Sequence, residues 1–148
     1  MRHASCWARG APPLAMAHHR TLGLEIARMD TPELVIQRQL HAYNAKDADL
    51  LTRIYANDAE MYEHPATLLA KGSAALRERF QVRFNEPNLK AVLLSRIVLG
   101  NTVIDHEEVH RTFPEGTGKL LLVMIYQVSE GRIAKAWAIS GSKILDPK

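Results

Sequence analysis

Cysteine occurs once, at Cys6. No internal disulfide and no thiolate metal cluster can therefore form, a usage that fits a reducing compartment and makes the cytoplasm the expected location. Long hydrophobic runs are also missing. No stretch approaches the roughly 18 consecutive apolar residues needed to cross a bilayer, so no membrane partner is expected. The third absence is a charge of one sign over the part expected to fold. The pI of about 9.2 invites a nucleic-acid reading, but residues 1–28 hold Arg2, Arg9, Arg20 and Arg28 against Glu25 alone. The other 120 residues carry fifteen Lys/Arg and fifteen Asp/Glu. That balance lacks the basic footprint that phosphate binding requires, and nucleic acid is set aside. After Met29 there is also no internal repeat, low-complexity tract or linker.

What is present is ordinary globular composition, 47% hydrophobic and 24% charged over 148 residues, which is the size of one domain. Residues 1–28 stand apart. They are rich in Ala, His and Arg, are broken by Pro12-Pro13, and keep neither a 3.6 nor a 2 residue period. A transit peptide would form a basic amphipathic helix, which Pro12-Pro13 interrupts, and a secretion signal would need a clean hydrophobic region. The expectation is a disordered extension, or an early start with Met29 as the natural one, followed by one domain over 29–148.

Thr31-Pro32-Glu33 is a helix start: a capping hydroxyl, a proline at the first helical position and an acid against the helix dipole. Leu34, Val35, Ile36, Leu40 and Tyr43 follow as an apolar stripe, and Asn44-Ala45-Lys46-Asp47 marks the stop before a second helix over 48–55. A short strand is expected over 59–64, ended by Pro65, and a third helix over 74–84 after Gly72-Ser73. Asn85-Glu86-Pro87-Asn88 closes that helix. Four strands then follow in meander order, over 91–99, 102–112, 119–128 and 132–140. Helices first and antiparallel strands afterwards define an α+β fold.

Tyr43-Asn44-Ala45-Lys46-Asp47, Tyr55-Ala56-Asn57-Asp58-Ala59, Lys71-Gly72 and Gly131-Arg132-Ile133 stand in an order and spacing that resemble a SnoaL-like or ketosteroid-isomerase-like member of the nuclear transport factor 2-like superfamily. The resemblance runs from about Met29 to Gly141. It implies a cone-shaped, curved antiparallel sheet, the cystatin-like roll, wrapped by about three N-terminal helices around a polar-lined cavity. In ketosteroid isomerases the catalytic carboxylate lies on the first strand, and the matching position is Glu63, with His64 beside it. The family's oxyanion-hole tyrosine falls on Gln39 and its protonated aspartic acid near Met124. Both donors are missing here, and each is typically worth roughly 3 kcal/mol, so steroid isomerisation is not expected.

The strand over 102–112 sorts by alternation into Thr102, Ile104, His106, Glu108 and His110 on one face and Val103, Asp105, Glu107, Val109 and Arg111 on the other. Both faces are polar, and periodicity alone does not choose between them. By resemblance, His106, Glu108 and His110 line the cavity while Asp105 and Glu107 face away. On that parity the three are candidate catalytic residues, since a histidine beside a carboxylate suits acid/base work. The competing reading is a solvated or dimer-facing ladder, or a self-satisfied hydrogen-bond network. His-x-Glu-x-His also supplies ligand types for a metal, but neighbours on one strand face are about 7 Å apart and do not converge on one ion. No metal and no cofactor are expected.

Glu63 shares its face with Ala59 and Met61 and is the candidate general base. Gln39, His64, Arg79, Met124 and Tyr126 are the candidate substrate-binding residues, Arg79 as a clamp for a carboxylate or carbonyl and Tyr126 as a hydroxyl donor. Trp137 reads as a core or dimer contact, and a homodimer through the outer sheet face is expected. The expected function is acid/base chemistry on a small, partly apolar carbonyl compound, with isomerase, cyclase, hydrolase and dehydratase types all open. The alternatives are a non-catalytic ligand-binding module and a dimeric association domain.

Overall fold

The computed structural model describes residues 31–148, and the expectation for residues 1–28 lies outside them. Helix α1 (Pro32–Asn44) begins as its sequence dictates: Thr31 is extended and its side chain accepts a hydrogen bond from the Leu34 N–H at 3.4 Å. Its buried face is Val35, Ile36, Gln39, Leu40 and Ala42. Asp47 caps α2 (Ala48–Ile54), accepting from the Leu50 N–H at 3.0 Å, and α2 buries Leu51 and Ile54.

Strand β1 (Tyr55–Glu63) starts four residues earlier than expected. Tyr55 is extended and pairs with Ile133, so tertiary pairing ends the helix at Ile54. Strand β2 (Thr67–Lys71) was not expected at all; it folds back antiparallel on β1. Helix α3 (Ser73–Phe84) follows Gly72, whose φ of 82° favours glycine, and buries Leu76 and Phe80.

Strands β3 (Lys90–Leu99), β4 (Thr102–Phe113), β5 (Gly116–Ser129) and β6 (Arg132–Leu145) form the expected meander, with β5 and β6 longer than their periodicity indicates. Glu130 and Gly131, with φ of 52° and 75°, make the tight turn between β5 and β6. The six strands of the described residues lie in the order β2-β1-β6-β5-β4-β3, and among these pairs only β1 and β6 run parallel. Register shifts near Leu94, Leu121 and Gln127 mark bulges that bend the long strands. Among the described residues the result is a curved, unclosed sheet with three helices on its concave side.

The core forms where the helices meet that side. Val35 and Ile36 of α1, Leu51 of α2 and Leu76 and Phe80 of α3 pack with Ala59, Met61, Val103, Tyr126, Ile133 and Ala136 of the sheet. Full burial of side chains such as Ile36 or Leu76 stabilises by about 1.5–3 kcal/mol each. A second cluster of Leu40, Leu89, Ala91 and Val109 lies further along α1. Among the described residues no helix is long and apolar enough to cross a membrane.

Candidate active site

Between α1, α3 and the sheet lies a cavity of about 140 Å³. This is below the 300–1,000 Å³ of typical ligand pockets, so it suits a small, compact molecule. One wall is aromatic: Tyr55 packs on Phe80 with ring centroids 5.6 Å apart, and Tyr43 meets Phe84 edge-on at 5.6 Å. Met61, Leu122, Met124 and Ala138 supply apolar surface from the sheet. Besides the tyrosines of the aromatic wall, the polar groups among the described residues are Gln39 from α1, Arg79 and Arg83 from α3, Glu107 and Arg111 from β4, Tyr126 from β5 and Ser140 from β6.

The presence of Glu107 here reverses the expected parity of β4. Val103, Asp105, Glu107 and Val109 are the buried residues of the strand, whereas His106, Glu108 and His110 take the opposite face. There His110 Nε2 sits 3.3 Å and Lys119 Nζ 3.1 Å from the Glu108 carboxylate, an outer-face ladder apart from the cavity. The physical reason is that Val103 and Val109 bracket the inward set and join the two core clusters, while the outward set offers only Ile104. Arg96 then makes inward placement of Asp105 tolerable, with Nε 2.6 Å from Oδ1 and Nη2 2.7 Å from Oδ2, and Nη1 reaching Gln37 Oε1 at 2.9 Å.

Glu107 has no such partner: among the described residues it is neither hydrogen-bonded nor ion-paired. Burial, and secondarily the Asp105 charge, push its pKa up to about 7, against the opposing pull of Arg96. Near it, among the described residues, are two buried phenols, Tyr55 and Tyr126, and the partly buried Tyr43. Tyr126 donates to Gln39 Oε1 at 3.3 Å. The Tyr55 hydroxyl is buried and, among the described residues, has no partner at hydrogen-bond geometry; burial, then the Glu107 charge, raise its pKa, and the nearby Gln39 side chain draws it down slightly. Burial likewise raises the pKa of Tyr43 and Tyr126. These groups stay protonated at neutral pH, and each hydroxyl keeps a hydrogen to donate.

Of the candidate substrate-binding residues, the structure places Gln39, Arg79, Met124 and Tyr126 in the cavity wall. It does not bring Glu63 or His64 there. Glu63 keeps the parity of Ala59 and Met61, pairing with Ala138, but at the end of β1 it is exposed. His64 is exposed as well, its backbone N–H held by the Ala138 carbonyl at 2.9 Å. The polar lining residues missed by sequence reasoning are Tyr43, Tyr55, Arg83, Glu107, Arg111 and Ser140, and the flanking Val103 and Val109 were the signal that could have found Glu107. Among the described residues no three His, Cys, Asp or Glu side chains converge as metal ligands would.

A helix-wrapped, unclosed curved sheet with a cavity on its concave side defines the class as a nuclear transport factor 2-like α+β cone. Within that class, the family model for the SnoaL-like domain matches residues 36–136, and the chain belongs to that family. Comparison with curated protein sequences gives no significant match. Among solved structures, an uncharacterised cystatin-fold protein from Novosphingobium aromaticivorans is similar with a TM-score of 0.69 at 19% identity, covering 74% of this chain and 97% of that one. A putative polyketide cyclase from Sinorhizobium meliloti is similar at TM-score 0.61 and 22% identity, covering 75% and 97%. An epoxide hydrolase of M. tuberculosis is similar at TM-score 0.63 and 11% identity, covering 72% and 80%. At these identities the likeness establishes the fold.

Proposed function

We propose that the protein is a small-molecule enzyme of the SnoaL-like kind in which Glu107 transfers the proton. The observation that carries this reading is a carboxyl group buried in the cavity wall without a partner, with a pKa raised to about 7. Both its forms are populated at neutral pH, as a group that takes and returns a proton requires. The Tyr55 hydroxyl, buried and unpartnered, is the donor for a substrate oxygen that gains negative charge. A base and a hydroxyl donor lining one cavity suit proton removal next to a carbonyl, the step shared by isomerases, aldol-type cyclases and dehydratases. Gln39 and Met124 in the cavity supply neither a phenol nor a carboxylic acid, which supports a substrate other than a steroid. The cyclase and hydrolase among the similar structures are compatible with small-molecule chemistry in such a cavity.

The test is solvent deuterium exchange next to the carbonyl of small cyclic ketones and phenylpyruvate, followed by NMR. Glu107→Gln should lower the catalysed exchange by about 10²–10⁴-fold. Exchange that persists in this variant, or no acceleration of any compound by the wild type, counts against the reading.

A homodimer through the outer sheet face is proposed alongside. That face carries Ile97, Leu121 and Ile139, 61%, 44% and 42% exposed, beside the Tyr62–Trp137 stack at 5.9 Å. Exposed apolar surface on a sheet that already spends its other face on the cavity supports pairing with a second copy.

A further inference from the structure

Among the described residues three arginines, Arg79, Arg83 and Arg111, line the cavity, and they are not equivalent. Arg111 is held by Glu86 through two hydrogen bonds, Nε to Oε2 at 2.6 Å and Nη2 to Oε1 at 2.7 Å. Arg83 reaches the same carboxylate at 2.9 Å, and the Thr112 N–H completes the cluster at 3.1 Å. Arg79 has neither an ion pair nor a hydrogen bond among the described residues. It stands one helical turn from Arg83, so the two like charges face each other on the same side of α3. Burial, and then the Arg83 charge, lower its pKa; Glu63 is the weakest influence on it. A guanidinium stripped of part of its water, beside a second cation and without an anion, is costly unless an anion arrives from outside.

Apolar surface lies next to it. Phe80 follows Arg79 on α3, and Met61, Leu69 and Ala138 face the same cavity. The charge is therefore at one side of a hydrophobic pocket rather than in a basic patch. The planar guanidinium fork matches the two oxygens of a carboxylate.

We infer that the cavity takes small organic acids, with the carboxylate seated on Arg79 and an apolar body against Phe80, Leu69 and Met61. This rests on the reading of the cavity as a ligand site and names its ligand class.

The test is binding of benzoate and of benzamide, its neutral counterpart, to the full chain at pH 6, where Glu107 is mostly protonated and does not repel an anion. The wild type should bind benzoate at least tenfold more tightly, the scale of one charge-assisted hydrogen-bonded pair. Arg79→Gln should bring that ratio to about one without changing benzamide affinity, and Arg79→Lys should keep part of the preference. Equal affinity for the two probes in the wild type, a preference that survives Arg79→Gln, or no saturable benzoate binding overturns the inference. Glu107→Gln separates this from the catalytic reading. If that variant loses exchange while Arg79→Gln keeps the preference, the ligand class alone is wrong. If Arg79→Gln loses the preference while Glu107→Gln still exchanges, the catalytic reading alone is wrong.

Discussion

Arg96 on β3 and Asp105 on β4 face each other across the strand pair, joined by two parallel hydrogen bonds of 2.6 and 2.7 Å. Asp105 is fully buried and the Arg96 side chain is only 10% exposed. The pair sits one inward position from Glu107, so it both anchors β4 and sets the field in which Glu107 titrates.

Removing one partner of this pair should be far more damaging than removing both. Arg96→Met leaves the Asp105 charge buried and alone, and equilibrium denaturation should show a loss of about 3–5 kcal/mol. Arg96→Met with Asp105→Leu should recover much of that loss. A double variant as unstable as the single would show that the pair is not the anchor.

Glu107 should make stability depend on pH in a defined window. Its folded pKa of about 7 lies above the 4.5 of an ordinary glutamate. As pH rises through that interval the unfolded chain ionises first, so stability is lost between about pH 4.5 and 7 and the loss is constant above it. The full effect is on the order of 3 kcal/mol. Glu107→Gln should be flatter over this interval and more stable than the wild type at pH 8. Parallel stability profiles for the two proteins would contradict the assignment.

Tyr55→Phe should separate stability from function. A buried hydroxyl without a partner costs about 1–3 kcal/mol, so its removal should leave the melting temperature unchanged or raise it. The same change should slow exchange by about 10²–10³-fold if the hydroxyl holds the substrate oxygen. A variant that melts lower and exchanges at the wild-type rate would reverse both roles.

Leu121→Arg, on the outer face of β5, should convert the proposed dimer to a monomer, read by light scattering during size-exclusion chromatography. Benzoate binding should survive, since the cavity is on the other side of the sheet. A wild type that is already monomeric removes the dimer.

The fold was legible because its signals are local. Thr31-Pro32-Glu33 starts α1, Asp47 caps α2, and the turns at Gly100-Asn101 and Glu130-Gly131 separate long strands. What escaped was decided by pairing. Thr67–Lys71 is five residues without alternation and becomes a strand only because β1 lies beside it. Tyr55 at the end of a helical pattern is drawn into the sheet by Ile133.

The site was legible in part for the same reason. Gln39, Arg79, Met124 and Tyr126 lie on elements whose inward face an apolar pattern fixes, and they line the cavity. β4 has charges on both faces, and the partner that makes the inward Asp105 tolerable, Arg96, is nine residues away in sequence and adjacent only once β3 and β4 pair. The resemblance to ketosteroid isomerases pointed to the wrong face, whereas Val103 and Val109 against the lone Ile104 pointed to the right one.

The most direct measurement is the pH profile of deuterium exchange for the wild type, Glu107→Gln and Glu108→Gln, side by side. Neighbouring carboxylates on opposite faces of one strand make each variant the control for the other. Exchange should rise through a midpoint near pH 7 in the wild type, persist unchanged in Glu108→Gln and fall to background in Glu107→Gln. Loss of exchange in Glu108→Gln with retention in Glu107→Gln would return the chemistry to the outer face and contradict the account.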